Sequence, residues 1–266
     1  MLKKQPATGP QMQRYASFHD ITGQSVFITG GGNGIGAALT EGFLEQGALV
    51  AFVGRKDATG FAAEMAEKYG VKPLYIPCDI TDIPALHAAM DRAAAAHGPI
   101  TTLVNNAAND TRHAAADVTE SIWDASQAVN LKAYFFACQK VAPMMQATGG
   151  SIINFSSISY MLGMANLSTY TSANAGIMGL TRSLAREFGP DRIRVNALAP
   201  GWVLTQRQLD LWADPVSLAA FMKTQSLKEH IAPVDIVGPV LFLASGLSRM
   251  MTGQTLVIDA GVVGTG

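Results

Sequence analysis

Ser25-Val-Phe-Ile-Thr-Gly-Gly-Gly-Asn-Gly-Ile-Gly36 is the stretch whose reading decides the fold. Ser25 to Thr29 is short, apolar and β-branched, which reads as a buried strand. The glycine cluster follows, and then a helical pattern from Ala37 to Gln46 that ends before Gly47. Glycines tolerate tight-turn dihedrals and let a ligand approach the backbone. The start of a helix offers unpaired N–H groups and the positive end of a dipole, which together suit a phosphate. A turn needing glycine only for packing would require fewer of them, so this strand–turn–helix points to a bound nucleotide.

The same alternation continues outward. Strands are expected at Ala48–Val53, Pro73–Pro77, Thr102–Asn105, Ser151–Phe155, Ile193–Ala197 and Thr255–Asp259. Helices are expected at Phe61–Lys68, Ile83–Ala96, Trp123–Met145 (kinked or ended near Pro143), Thr169–Phe188 and Val234–Ala244. Apolar strands alternating with helices predict an α/β fold, a doubly wound sheet of seven parallel strands flanked by helices on both faces. No internal boundary is visible, so residues 14–266 read as one domain behind a loose polar tail at 1–13. The segment 202–231 has no strand signal and follows a strand end, where such folds place ligands. It reads as a substrate-covering segment or as a plain pair of helices.

Bulk properties narrow the function. The 266 residues carry a formal net charge of −1, which gives no support for nucleic-acid or membrane-surface partners. No apolar run approaches the roughly 18 residues of a membrane span. Two cysteines, Cys78 and Cys138, suit a reducing compartment, so a cytoplasmic location is expected. The five histidines show no metal-ligand spacing.

Several motifs stand in a fixed order. Thr29-Gly-x-x-x-Gly-x-Gly36 is followed by Asp79 after the third strand, Asn105-Asn-Ala-Ala108 after the fourth, and Asn130 in a Val-Asn-Leu. Ser157 lies thirteen residues before Tyr170, and Pro200-Gly-Trp-Val-Leu-Thr205 and Thr252-Gly253 close the series. Their order and spacing resemble the short-chain dehydrogenase/reductase family over nearly the whole chain. The resemblance implies a Rossmann-type sheet and a nicotinamide cofactor. It places that cofactor on Gly30, Asn33, Gly34, Ile35 and Gly36, on Asp79, Ile80, Asn106 and Ala107, and on Pro200, Gly201, Val203 and Thr205. Tyr170 would be the general acid/base, Ser157 would hold the substrate oxygen, and Asn130 would anchor a water in the proton path. A homotetramer is the common family assembly.

Two positions depart from that pattern or tune it. Gly54 ends the second strand where an NAD-preferring member carries an acid; Arg55 beside it suits a 2′-phosphate, so NADP is favoured over NAD. Asn174 stands one helical turn beyond Tyr170, where the family carries a lysine that holds the cofactor ribose and favours the tyrosinate. An amide can still bond a ribose and supplies no charge. Three readings stay open: activity shifted to alkaline pH, an enzyme disabled by this residue, or a silent cofactor-binding protein.

The loops that would meet the substrate are similar to those of bacterial aldose dehydrogenases such as the D-xylose and L-rhamnose enzymes. Asn109, Arg112, His113 and Gln208 could bond a polyol, with Ser157 at the reacting oxygen and Tyr160 in the pocket wall. That reading is oxidation of an aldose at C1 to its lactone. Met161, Leu162, Met164 and Trp202 keep open a ketone or secondary-alcohol oxidoreductase.

Overall fold

The computed structural model describes residues 16–264; the expected tail at 1–13 lies outside them. The strands are β1 (Ser25–Thr29), β2 (Leu49–Gly54), β3 (Leu74–Pro77), β4 (Thr102–Asn105), β5 (Gly150–Phe155), β6 (Ile193–Pro200) and β7 (Thr255–Ile258). All pair in parallel in the order β3-β2-β1-β4-β5-β6-β7. Val26 pairs with Val50 on one side and Thr102 on the other, so β1 is central and its apolar run is buried throughout.

The helices are α1 (Gly34–Glu45), α2 (Thr59–Tyr69), α3 (Ile83–His97), α4 (Glu120–Gln127), α5 (Ala133–Met145), α6 (Ser159–Leu162), α7 (Ser168–Phe188), α8 (Gln206–Leu211), α9 (Pro215–Thr224) and α10 (Pro233–Ala244). One core lies between the sheet and α1, α2 and α10, with Phe43, Met65 and Leu241 in it. The other joins the sheet to α3, α5 and α7 through Leu86, Val141 and Leu184. Side chains of this size each contribute about 2 kcal/mol when fully buried, so both faces must be covered.

One sequence expectation is corrected. Helix α1 begins at Gly34, not Ala37, because the last glycines of the cluster form its first turn. The long helical region ends at Met145, near Pro143 as expected, and its irregularity lies earlier. The irregularity is a π-helical turn at Ala128–Lys132, where the Ala133 N–H reaches the Ala128 carbonyl. Residues 202–231 hold α8 and α9, and a Val203–Ile231 bridge closes the two ends of the segment on each other. Among the described residues no helix is long and apolar enough to cross a membrane.

Candidate active site

The chain leaves β1 towards β2 and β3 on one side, and returns at β4 to build the other. That switch opens a crevice at the C-terminal strand ends. The glycine turn fills the crevice floor. Gly30 has φ 71°, a left-handed conformation that glycine takes without strain. A Cβ at Gly36 would run into the Gly30 carbonyl oxygen, so the first turn of α1 packs directly on the loop. Asn33, at the helix start, makes no side-chain capping bond, which leaves the first amides of α1 to a ligand. Thr29 Oγ1 accepts from the Asn106 N–H at 2.9 Å and the Ala107 N–H at 3.1 Å. Asn106 Nδ2 donates back to the Thr29 carbonyl at 3.0 Å, sewing β4 to β1 across the switch.

At the end of β2 a Cβ on Gly54 would meet nothing within 4 Å, so the space beside it is open. Arg55 lies there with its side chain 73% exposed, and its Nη1 is 3.7 Å from Asp79 Oδ2. Asp79 Oδ1 accepts from the Thr81 N–H at 3.0 Å and hydroxyl at 2.8 Å. Burial pushes the Asp79 carboxyl up, but those two bonds and Arg55 outweigh it and hold the pKa below the ordinary value. Ile80 turns its side chain into the core under β3, leaving only its backbone for a ligand.

The π turn between α4 and α5 presents Asn130, a placement that such turns often serve. Its Oδ1 accepts from the Asn109 N–H at 2.8 Å and its Nδ2 donates to the Asn109 carbonyl at 3.0 Å. Asn130 Nδ2 also donates to Ser126 Oγ at 3.2 Å. Asn130 therefore grips the loop after β4 at two points. Ser157, after β5, accepts from the Ser159 N–H at 3.1 Å, which leaves its own proton to donate.

Tyr170 sits in the first turn of α7, half-buried. Burial first, and the Asp110 carboxylate second, push the phenol up to about 12, while the side chains of Asn174 and Ser157 act in the opposite direction. Asn174 is itself buried. Its Nδ2 donates to the Tyr170 carbonyl at 2.8 Å, and its own carbonyl accepts from Ser156 Oγ at 3.1 Å. Behind this pair, burial pushes Tyr134 well above its usual value and Cys138 up to about 12.

A cavity of about 610 Å³ opens in front of Tyr170. Of the expected residues its wall holds Ile35, Asn106, Arg112, Ser157, Tyr170 and Gln208, together with the Pro200–Thr205 stretch except Leu204. Three expected substrate contacts stand outside that wall. Asn109 spends its side chain on the Thr111 N–H and hydroxyl, His113 is tied through its N–H to the Asn166 carbonyl, and Tyr160 stands near Arg182. Gln208 is in the wall but already engaged, donating to Asp110 at 2.6 Å and accepting from Trp202 at 2.9 Å. Arg112 lies over the Trp212 ring at 4.3 Å. The sequence reading missed Asp110, Arg207 and Trp212, all in the wall. The opposite signs of Asp110 and Arg207 were the available signal, but they lie far apart in the chain.

The family model described as "Enoyl-(Acyl carrier protein) reductase" matches residues 29–263. A Rhizobium meliloti (strain 1021) protein named "Probable galactose dehydrogenase GalD" is 48% identical over 250 residues, 93% of this chain and 98% of its own length. The D-xylose 1-dehydrogenase of Caulobacter vibrioides (strain NA1000 / CB15N) is 45% identical over 249 residues, 92% of this chain and 98% of that one. Among solved structures, a blue fluorescent protein from a metagenomic library, in complex with NADPH, matches with a TM-score of 0.83 at 29% identity. It covers 92% of this chain and all (100%) of that one.

Proposed function

The chain belongs to the short-chain dehydrogenase/reductase family of oxidoreductases, and we propose that it oxidises an aldose at C1 to its lactone, with Tyr170 as general acid/base. The observation that carries this reading is the half-buried Tyr170 in the wall of a cavity that also holds Ser157, Asn106 and the edge of the glycine turn at Ile35. Relatives named for galactose and D-xylose support an aldose. So do Asp110, Arg112 and Gln208, which offer a polyol both acceptors and donors.

The nicotinamide fits the residues present. The bare turn at Gly30 and Gly36, the uncapped start of α1 and the open space beside Gly54 suit a pyrophosphate and its ribose. Asn33, Gly34, Ile35, Asp79, Ile80, Asn106, Ala107, Pro200, Gly201, Val203 and Thr205 complete the proposed cradle. Exposed Arg55 favours NADP, with NAD the alternative. When bound, the nicotinamide takes up the hydrogen and electron pair leaving C1. Ser157 donates to the anomeric oxygen, and Tyr170 Oη removes its proton. Asn130 keeps the loop after β4 in place, with the proton path beside it.

The cation expected beside Tyr170 is missing, since Asn174 carries a neutral amide. We propose that turnover rises into the alkaline range, where the tyrosinate becomes populated. A second reading, oxidation of a secondary alcohol or reduction of a ketone, is favoured by Leu162, Met164 and Trp202 in the wall. Free, buried cysteines support a cytoplasmic site. Exposed Trp123 and Phe135 on α4 and α5, with β7 at the sheet edge, support a homotetramer that light scattering would reveal.

The test is to mix purified protein with NADP or NAD and a panel of aldoses and secondary alcohols, at neutral and alkaline pH. Reduced-nicotinamide absorbance and lactone trapping are followed together. Lactone formed from an aldose supports the proposal. Turnover of secondary alcohols alone moves it to the second reading, and cofactor binding without turnover of either makes the protein a silent binder.

A further inference from the structure

Asp110 stands on the loop that Asn130 grips, with its carboxylate in the cavity wall. Its Oδ1 accepts from Arg207 Nε at 3.3 Å and Nη2 at 3.2 Å. Its Oδ2 accepts from Gln208 Nε2 at 2.6 Å, and Gln208 Oε1 accepts from Trp202 Nε1 at 2.9 Å. The covering segment is thus joined through one carboxylate to the loop after β4, and through Asn130 to the π turn. Charge-assisted bonds of this kind are the stronger ones in a partly buried setting. The same carboxylate belongs to the wall that Tyr170 lines, where Asn174 supplies no compensating cation.

We propose that Asp110 is a positioning residue for the oxidation: through Arg207 and Gln208 it fastens α8 and Trp202 over the cavity, and it sets a fixed negative charge in the same cavity wall as Tyr170. Its functional meaning rests on Tyr170 being the acid/base. The other groups around that phenol are accounted for. Tyr134 on α5 faces it from behind, Ser157 and Asn174 are neutral, and the cations of the wall are Arg207, paired with Asp110, and Arg112, laid on Trp212. The Asp110 charge disfavours the tyrosinate, so removing it eases ionisation. Uncovering it by removing Arg207 makes ionisation harder.

The test needs no substrate. Tyrosinate absorbance is titrated in each protein, and the same background carrying Tyr170→Phe is subtracted to isolate Tyr170. Asp110→Asn is expected to lower the Tyr170 midpoint by about one pH unit. Asp110→Glu, which keeps the charge, is expected to stay near the wild type. Arg207→Gln is expected to move the midpoint upward, and it reads the same charge if Asp110→Asn does not fold. An unmoved midpoint in Asp110→Asn and Arg207→Gln, or equal shifts in Asp110→Asn and Asp110→Glu, overturns the proposal. In turnover, Asp110→Asn is expected to shift the pH profile of kcat to lower pH while KM rises several-fold as α8 loosens; a rise in KM with the profile fixed also overturns it. Should the titration shift occur in a protein that turns over no aldose, the role of Asp110 stands and the aldose reading falls.

Discussion

Asn174→Lys would place a cation one helical turn beyond Tyr170, where the protein now has an amide bonded to its own helix backbone. The starting point is a phenol held at about 12 by burial and by Asp110. At neutral pH the tyrosinate is then only about one part in 10⁵ of the protein. A unit charge at about 4 Å, with an effective dielectric near 20, is worth on the order of 4 kcal/mol. That equals about three pKa units, or roughly a thousandfold gain in tyrosinate. A more acidic phenol is also a weaker base, so only part of the gain reaches the rate. If half of the free energy appears in the transition state, turnover at neutral pH rises about thirtyfold. The exchange loses the 2.8 Å bond from Nδ2 to the Tyr170 carbonyl, at a stability cost of about 1 kcal/mol. The assay is kcat across pH for the wild type, Asn174→Lys and the uncharged Asn174→Met, with circular dichroism to show that each is folded. The expected result is a rising limb displaced to lower pH in the lysine variant alone. A folded lysine variant whose neutral-pH turnover stays flat or falls, or a methionine variant that gains as much, would refute the reasoning.

Other expectations concern the cofactor and the alkaline limit. Arg55→Ala should reduce the kcat/KM ratio of NADP to NAD about tenfold by removing the guanidinium beside Gly54; a strong NAD preference that survives the exchange would discard the 2′-phosphate reading. Gly36→Ala should lower Tm and weaken cofactor binding by calorimetry, because its Cβ collides with the Gly30 carbonyl and overpacking costs about 1–3 kcal/mol. Tyr170 and Cys138 both have folded pKa values raised to about 12, above the ordinary 10.0 and 9.0. Their stabilising contribution is therefore whole below about 9 and is lost as pH climbs towards about 12. Urea unfolding should show that decline, and Tyr170→Phe should lessen it; a decline identical in the variant would remove Tyr170 from the account.

The strands were legible because each is a short apolar run bounded by glycine, proline or polar residues, and burial on both faces leaves little else for such runs to be. Ser25–Thr29 and Thr102–Asn105 came out with the same limits in sequence and structure. The start of α1 was misread because glycine is a weak helix former, and here the need for a side-chain-free surface at Gly34 and Gly36 prevailed. The π turn at Asn130 carries neither glycine nor proline, so nothing local announces it; Pro143 drew attention instead and is tolerated within α5. The glycine turn was readable as a contiguous motif. The cavity wall was not, because it is assembled by long-range pairs such as Asp110 with Arg207. In the polar loop Asn109–His113, the Asn109 side chain bonds within the loop at Thr111, and the His113 backbone N–H ties the loop to Asn166.

Position 174 also bears on how such a protein changes over generations. Its carbonyl is held by Ser156, and its amide answers only to the helix that carries it. The side-chain bond stays within α7, and the link to the end of β5 through Ser156 uses only the backbone carbonyl, which any residue keeps. Codons for asparagine and lysine differ only in the third base. A lineage could therefore lose or regain the charge beside its tyrosine by one nucleotide change. The scaffold would keep the nucleotide cradle meanwhile, preserved for whichever chemistry selection next favours.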